Sequence, residues 1–148
     1  MKFICDVMLG RLAKYLRIFG LDAVYLKNYK ELHKIVSEDI KYVFFTKRSK
    51  DAPPGSIFIK SDNVREQVKE VLPLMRDYLH ENSFFTRCLN CNTLLEDVDR
   101  EDVEGLVPEY IFHNHLTFKK CPFCNKVYWS GSHIAHMERW IDELLYSK

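Results

Sequence analysis

The stretch Lys2-Phe3-Ile4-Cys5-Asp6-Val7-Met8-Leu9-Gly10-Arg11-Leu12-Ala13-Lys14-Tyr15-Leu16-Arg17-Ile18-Phe19-Gly20-Leu21-Asp22 changes its period partway along. Phe3, Ile4 and Cys5 form an unbroken apolar run that ends on Asp6, the pattern of a short strand buried on both faces. Cys5 therefore reads as a core residue. Leu9, Leu12, Leu16 and Phe19 then return at helical spacing, with Ala13 beside them and Arg11, Lys14 and Arg17 on the opposite face. Gly20 supplies the stop expected just past a helix end.

The alternation continues downstream. Ala23 to Leu26 reads as a second strand, Glu31 to Glu38 as a short helix and Tyr42 to Thr46 as a buried strand. Asp51-Ala52-Pro53-Pro54-Gly55 is a turn, and Ser56 to Ile59 a fourth strand. A third helix starts near Ser61-Asp62-Asn63, where Asn63 and Glu66 have capping-box spacing. Val64, Val68, Val71, Leu72 and Met75 line one side of it, and Pro73 is expected to break or restart it. This order predicts an α/β fold, a small parallel sheet with flanking helices.

The character of the chain changes near Glu81-Asn82-Ser83, so domains are expected over 1–82 and 83–148. The second part carries Cys88-Leu89-Asn90-Cys91 and Cys121-Pro122-Phe123-Cys124. Two such hooks offer four thiolates at tetrahedral positions, so Cys88, Cys91, Cys121 and Cys124 are candidate ligands of a structural Zn²⁺. The alternatives, two disulfides or unliganded core cysteines, explain the doubled spacing less well. A closed four-cysteine site leaves no position for water or substrate. Phe84 to Arg87, Leu94-Leu95, Phe118 to Lys120 and Val127 to Trp129 are the strand candidates of a zinc ribbon, joined by an acidic connection over Asp97 to Gly105. A final helix over Ile134 to Tyr146 turns Ile134, Met137, Ile141, Leu144 and Leu145 inward.

Apolar content of 47% and charged content of 29% mark a globular chain. No apolar run nears the roughly 20 residues of a membrane span, so no membrane partner is expected. The opening Met1 to Asp6 becomes charged too early for a signal peptide. Hook cysteines beside one unpaired Cys5 fit a reducing compartment, and a cytoplasmic location is expected. Net charge is +1, but residues 1–82 hold 15 Lys/Arg against 11 Asp/Glu, while residues 83–148 hold 7 against 10. The mildly basic first part permits an anionic partner such as RNA.

Taken together, three stretches resemble the Mut-seven C-terminal RNase domain family. They are the run from Asp6 to Asp22, Arg87-Cys88-Leu89-Asn90-Cys91-Asn92, and Cys121-Pro122-Phe123-Cys124-Asn125-Lys126-Val127-Tyr128-Trp129-Ser130-Gly131-Ser132-His133. The resemblance implies a PIN-like nuclease domain followed by a zinc ribbon, acting on RNA as a metal-dependent ribonuclease. It also implies acids at the carboxyl ends of parallel strands that hold Mg²⁺ or Mn²⁺. Asp6 matches the acid of the first strand and Asp22 the acid after the first helix, the two candidate catalytic residues. Arg11, Lys14 and Arg17, near the Asp6 strand end, are candidate RNA phosphate contacts.

Two positions depart from the family pattern, because Tyr29 and Arg48 stand where further acids are expected. Arg48 would bring a positive charge toward Asp6 and pair with it, and Glu31, Asp39, Asp51 or Asp62 would have to compensate. These departures open a second reading: a non-catalytic pseudo-nuclease that holds RNA or a protein partner. A third is a zinc-stabilised interaction protein. Tyr128 and Trp129 are read as packing residues with base stacking as the alternative. His133 is read as a helix cap or interface residue, with a metal pair His133–His136 as the lesser alternative, and no role is assigned to His113 or His115, which flank Asn114 in an expected turn.

Overall fold

Chirality decides where the first helices go. The computed structural model describes residues 1–36, 39–48 and 52–146, with the side chains at 132 and 133 undescribed. The expected helix end at Glu38, the acid Asp51 and the His133 side chain lie outside the described residues. β1 (Lys2–Cys5), β2 (Ala23–Tyr25), β3 (Tyr42–Thr46) and β4 (Ile57–Phe58) form a parallel sheet in the order β2-β1-β3-β4. The chain moves one way from β1 to β2, then back past β1 to β3. Right-handed crossovers therefore place the two connecting helices on opposite faces. α1 (Gly10–Ile18) packs on β1, β2 and the later helix α3 (Val64–Met75). The short α2 (Leu32–Ile35) covers the face carrying Ile4, Leu26 and Phe44. Phe3 and Phe45, one residue out of phase, stack at 6.2 Å on the other face, and Tyr78 meets Phe3 edge-on.

α1 ends on Gly20 in a Schellman turn. Leu21 N–H donates to the Leu16 carbonyl at 3.1 Å and Gly20 N–H to that of Arg17 at 2.9 Å. Gly20 has φ +81°, and a Cβ there would lie 2.1 Å from the Ser83 carbonyl oxygen, so only glycine fits. Arg17 departs from the expected solvated face. It is 7% exposed, whereas Arg11 and Lys14 on the same helix are exposed. α3 begins as expected, with Asn63 Oδ1 accepting from the Arg65 and Glu66 N–H groups. It does not break at Pro73 but runs through to Met75. Pro73 and Lys69, whose carbonyl loses its helical donor there, are both on the exposed side, where water can replace the bond.

The described chain divides into two compact units, Met1–Asn92 and Thr93–Lys148. In the second, β5 (Glu96–Val98), β6 (Phe118–Lys120) and β7 (Val127–Tyr128) form an antiparallel sheet in sequence order. One cluster of its core is Val103, Val107 and Phe118, with Val98, Ile111, Phe112, Val127 and Trp129 against them. Arg100 stacks 3.9 Å over the Phe112 ring and donates to the Phe112 carbonyl at 2.8 Å, satisfying the end of α4 (Glu109–Asn114). α5 (Ser132–Tyr146) buries Met137, Trp140 and Ile141.

Three expectations change here. Phe84 to Arg87 is not a strand, because Phe85 takes φ 61° and leaves only a single bridge at Arg87. Leu94-Leu95 likewise reduces to one bridge at Leu94. The strand lies instead at Glu96–Val98, overlapping the start of the Asp97 to Gly105 tract read as connection. Glu96 faces Lys120 and Asp97 faces Lys119, so opposite charges across the strands favour the pairing.

Candidate functional site

The strand order reverses between β1 and β3, and in parallel sheets the carboxyl ends at such a reversal are where ligands bind. Asp6 follows β1 at this point and is 1% exposed. Its Oδ2 accepts from the Tyr29 hydroxyl at 2.5 Å and from the Thr46 hydroxyl at the end of β3. Thr46 has one proton for two acceptors, Asp6 and the Arg48 carbonyl at 2.7 Å, and itself accepts from the Arg48 N–H at 2.9 Å. Asp6 Oδ1 is buried and has no hydrogen-bond partner among the described residues. That orphan oxygen is an acceptor aimed at nothing the described protein supplies.

The expected Arg48–Asp6 ion pair does not form among the described residues. Tyr29 and Thr46 occupy the carboxyl group instead, and the Arg48 side chain is exposed. Burial, reinforced by the hydrogen bond to Asp6, pushes the Tyr29 phenol above its ordinary pKa, while the nearby Arg48 cation acts the other way. Tyr29 is thus held as a hydrogen-bond donor. Lys47, the other cation of the third-strand end, is spent on the Ser61 carbonyl at 3.0 Å and on Asp62 at 2.5 Å.

Asp22 is elsewhere. Phe3 pairs with Ala23, so Asp22 lies level with Lys2 at the amino end of the sheet. Asp6 is four residues further along β1, or about 13 Å at ~3.3 Å per residue. Asp22 is ion-paired with Lys2 at 3.4 Å and accepts from the Asn92 amide at 2.7 Å. The structure therefore does not bring the two matched acids together. Of the compensating candidates, Glu31 follows β2 on the carboxyl side and is exposed, Asp39 precedes β3 on the amino side, and Asp62 is held by Lys47.

Arg17, expected at a phosphate, also turns inward. Its Nε donates to the Ala23 carbonyl at 2.8 Å and its Nη1 to that of Leu89 at 2.6 Å. Burial lowers the guanidinium pKa, and only negative charge on the neighbouring Cys5, Cys88, Cys91 or Asp22 opposes it. Arg11 and Lys14 remain as the exposed cations of α1.

The cysteine hooks converge. The four sulfurs of Cys88, Cys91, Cys121 and Cys124 all lie within 4.8 Å of one another. A tetrahedral thiolate site with ~2.3 Å metal–sulfur bonds needs about 3.8 Å between sulfurs, so the group can hold a metal ion and is compatible with zinc. Both hooks close alike. Asn92 and Asn125, each directly after a hook, take φ 67° and 68° and donate their N–H to the Cys88 and Cys121 carbonyls at 2.8 and 2.9 Å. Asparagine tolerates this left-handed region better than most residues. The Cys124 N–H adds a bond to Cys121 Sγ at 3.4 Å. The repeat Cys-x-x-Cys-Asn was visible in the sequence, whereas Thr46 and Tyr29 as partners of Asp6 carried no spacing signal.

Comparison with curated proteins and with solved structures finds no match. Comparison with family models matches the Mut7-C RNAse domain over residues 1–141, nearly the whole chain. With a parallel sheet that gathers Asp6, Tyr29 and Thr46 at its reversal point and two cysteine hooks behind it in sequence, the chain belongs to the Mut7-C RNAse domain family.

Proposed function

We propose that this chain is an RNA-directed, PIN-like protein of the cytoplasm that binds RNA at the carboxyl end of its parallel sheet and has little or no intrinsic nuclease activity. Membership of an RNase-domain family supports RNA as the partner. One observation carries the rest: among the described residues the Asp6 carboxyl group is engaged by two hydroxyls, Tyr29 and Thr46, where the family pattern has further acids. A Mg²⁺ or Mn²⁺ ion needs several converging carboxylates to offset its lost hydration. Arg48, exposed just past β3 and acting electrostatically on Tyr29, adds a cation where the family pattern has an acid. Arg11 and Lys14 are the phosphate contacts of this reading, and Zn²⁺ in the four-cysteine group is structural.

The test pairs binding with cleavage. Generic single-stranded RNA should bind in a salt-dependent manner, and Mn²⁺ should elicit no cleavage above an Asp6→Asn control. Arg48→Asp should raise Mn²⁺ affinity. Robust Mn²⁺-dependent cleavage that Asp6→Asn abolishes would contradict the non-catalytic part of the reading. Absence of RNA binding would contradict the RNA part and favour a protein partner.

A further inference from the structure

The first cysteine hook is held by many more groups than its own turn requires. Asn92 closes the hook through its backbone, but its side chain faces the amino end of the sheet. There its Oδ1 accepts from the Ala23 N–H at 3.1 Å while its Nδ2 donates to Asp22 at 2.7 Å. Within the hook, the Leu89 carbonyl accepts from the buried Arg17. Arg87, just before the hook, donates from Nε to the Gly20 carbonyl at 3.1 Å and from Nη1 to the Asn92 carbonyl at 2.8 Å. Arg17 in turn grips the Ala23 carbonyl, so the same guanidinium bonds both the hook and the start of β2. The second hook has the same backbone turn, yet its Asn125 side chain is exposed.

We propose that Asp22, Arg17 and Asn92 are positioning residues for the Cys88–Cys91 hook, and that metal held there and order in the segment 17–25 are thermodynamically linked. This goes beyond the RNA reading and does not depend on it. A bond that orients the hook before the ion arrives lowers the ordering cost of binding. By linkage, an ion that binds the ordered hook stabilises whatever the hook is bonded to. A family acid at position 22 thereby has work that requires no reacting phosphate.

The experiment follows release of Zn²⁺ from the loaded full chain into excess chelator. Asn92→Gly keeps the left-handed turn, since glycine accepts that φ, and removes only the side-chain tether. It should release Zn²⁺ about tenfold faster, within the range that partners supporting metal ligands contribute. Asn125→Gly, the matched change in the other hook, should release near the unmodified rate. Asp22→Ala should behave like Asn92→Gly, whereas Asp22→Asn, which keeps an acceptor oxygen, should restore slow release. In the unmodified protein, Zn²⁺ removal should lower amide-exchange protection over 17–25 more than over 42–46. Equal release from Asn92→Gly and Asn125→Gly, or protection over 17–25 indifferent to Zn²⁺, would overturn the proposal.

Discussion

The two ends of the parallel sheet use the same kind of residue for different work. At the carboxyl end Asp6 is buried, holds two hydroxyls on one oxygen and has no partner for the other among the described residues. At the amino end Asp22 is partly exposed and fully engaged, paired with Lys2 and bonded to Asn92. A buried acceptor of this kind calls for an explanation, since protein interiors otherwise satisfy such atoms. A satisfied acid tied to a loop is the mark of architecture. Two acids sixteen residues apart in one motif thus belong to opposite ends, because a strand–helix–strand unit carries the chain back to the start of the sheet before the next strand begins.

The largest effects are expected at the metal hooks. Cys88→Ser or Cys121→Ser should abolish stoichiometric zinc binding and unfold the second unit, as loss of exchange protection over 96–128 would register. Gly20→Ala comes next and strikes the amino end. It combines a left-handed φ with a 2.1 Å clash against the Ser83 carbonyl, and should cost about 2–4 kcal/mol in denaturant unfolding. Thr46→Val strikes the carboxyl end. It removes one of two hydroxyls from a buried carboxyl group and should cost about 1–3 kcal/mol without changing zinc release. The smallest effects belong to the exposed cations of α1. Arg11→Ala and Lys14→Ala should leave stability unchanged and each lower the salt slope of RNA binding by about 0.7. An unchanged slope in the double variant would remove α1 from the RNA-binding surface.

Much of the fold was legible because it follows periodicity. The run Phe3-Ile4-Cys5, the helical spacing from Leu9 to Phe19 and the stop at Gly20 are local signals, and β1, α1 and the Schellman turn appear where they predict. Charge pattern misled where pairing outweighed it: Glu96-Asp97 looks like solvated loop until Lys119 and Lys120 face it across a sheet. Arg17 misled for a related reason. Helical spacing puts it opposite the leucines, but carbonyls of Ala23 and Leu89, distant in sequence, draw it inward. α4 was missed because its short apolar face, Ile111-Phe112, lies among histidines and ends without a glycine stop. The four cysteines were legible as a set, since Cys-x-x-Cys spacing is itself a geometric statement. The separation of Asp6 from Asp22 was not, because it depends on which end of the sheet each loop occupies.

That separation is open to one direct measurement: the rate at which Zn²⁺ leaves the loaded chain in Asp6→Asn and in Asp22→Ala, side by side. If the acids serve opposite ends, Asp22→Ala releases Zn²⁺ about tenfold faster than the unmodified chain, and Asp6→Asn releases it at the unmodified rate. Equal acceleration by both substitutions, or none by Asp22→Ala, would contradict the division of labour between the two ends.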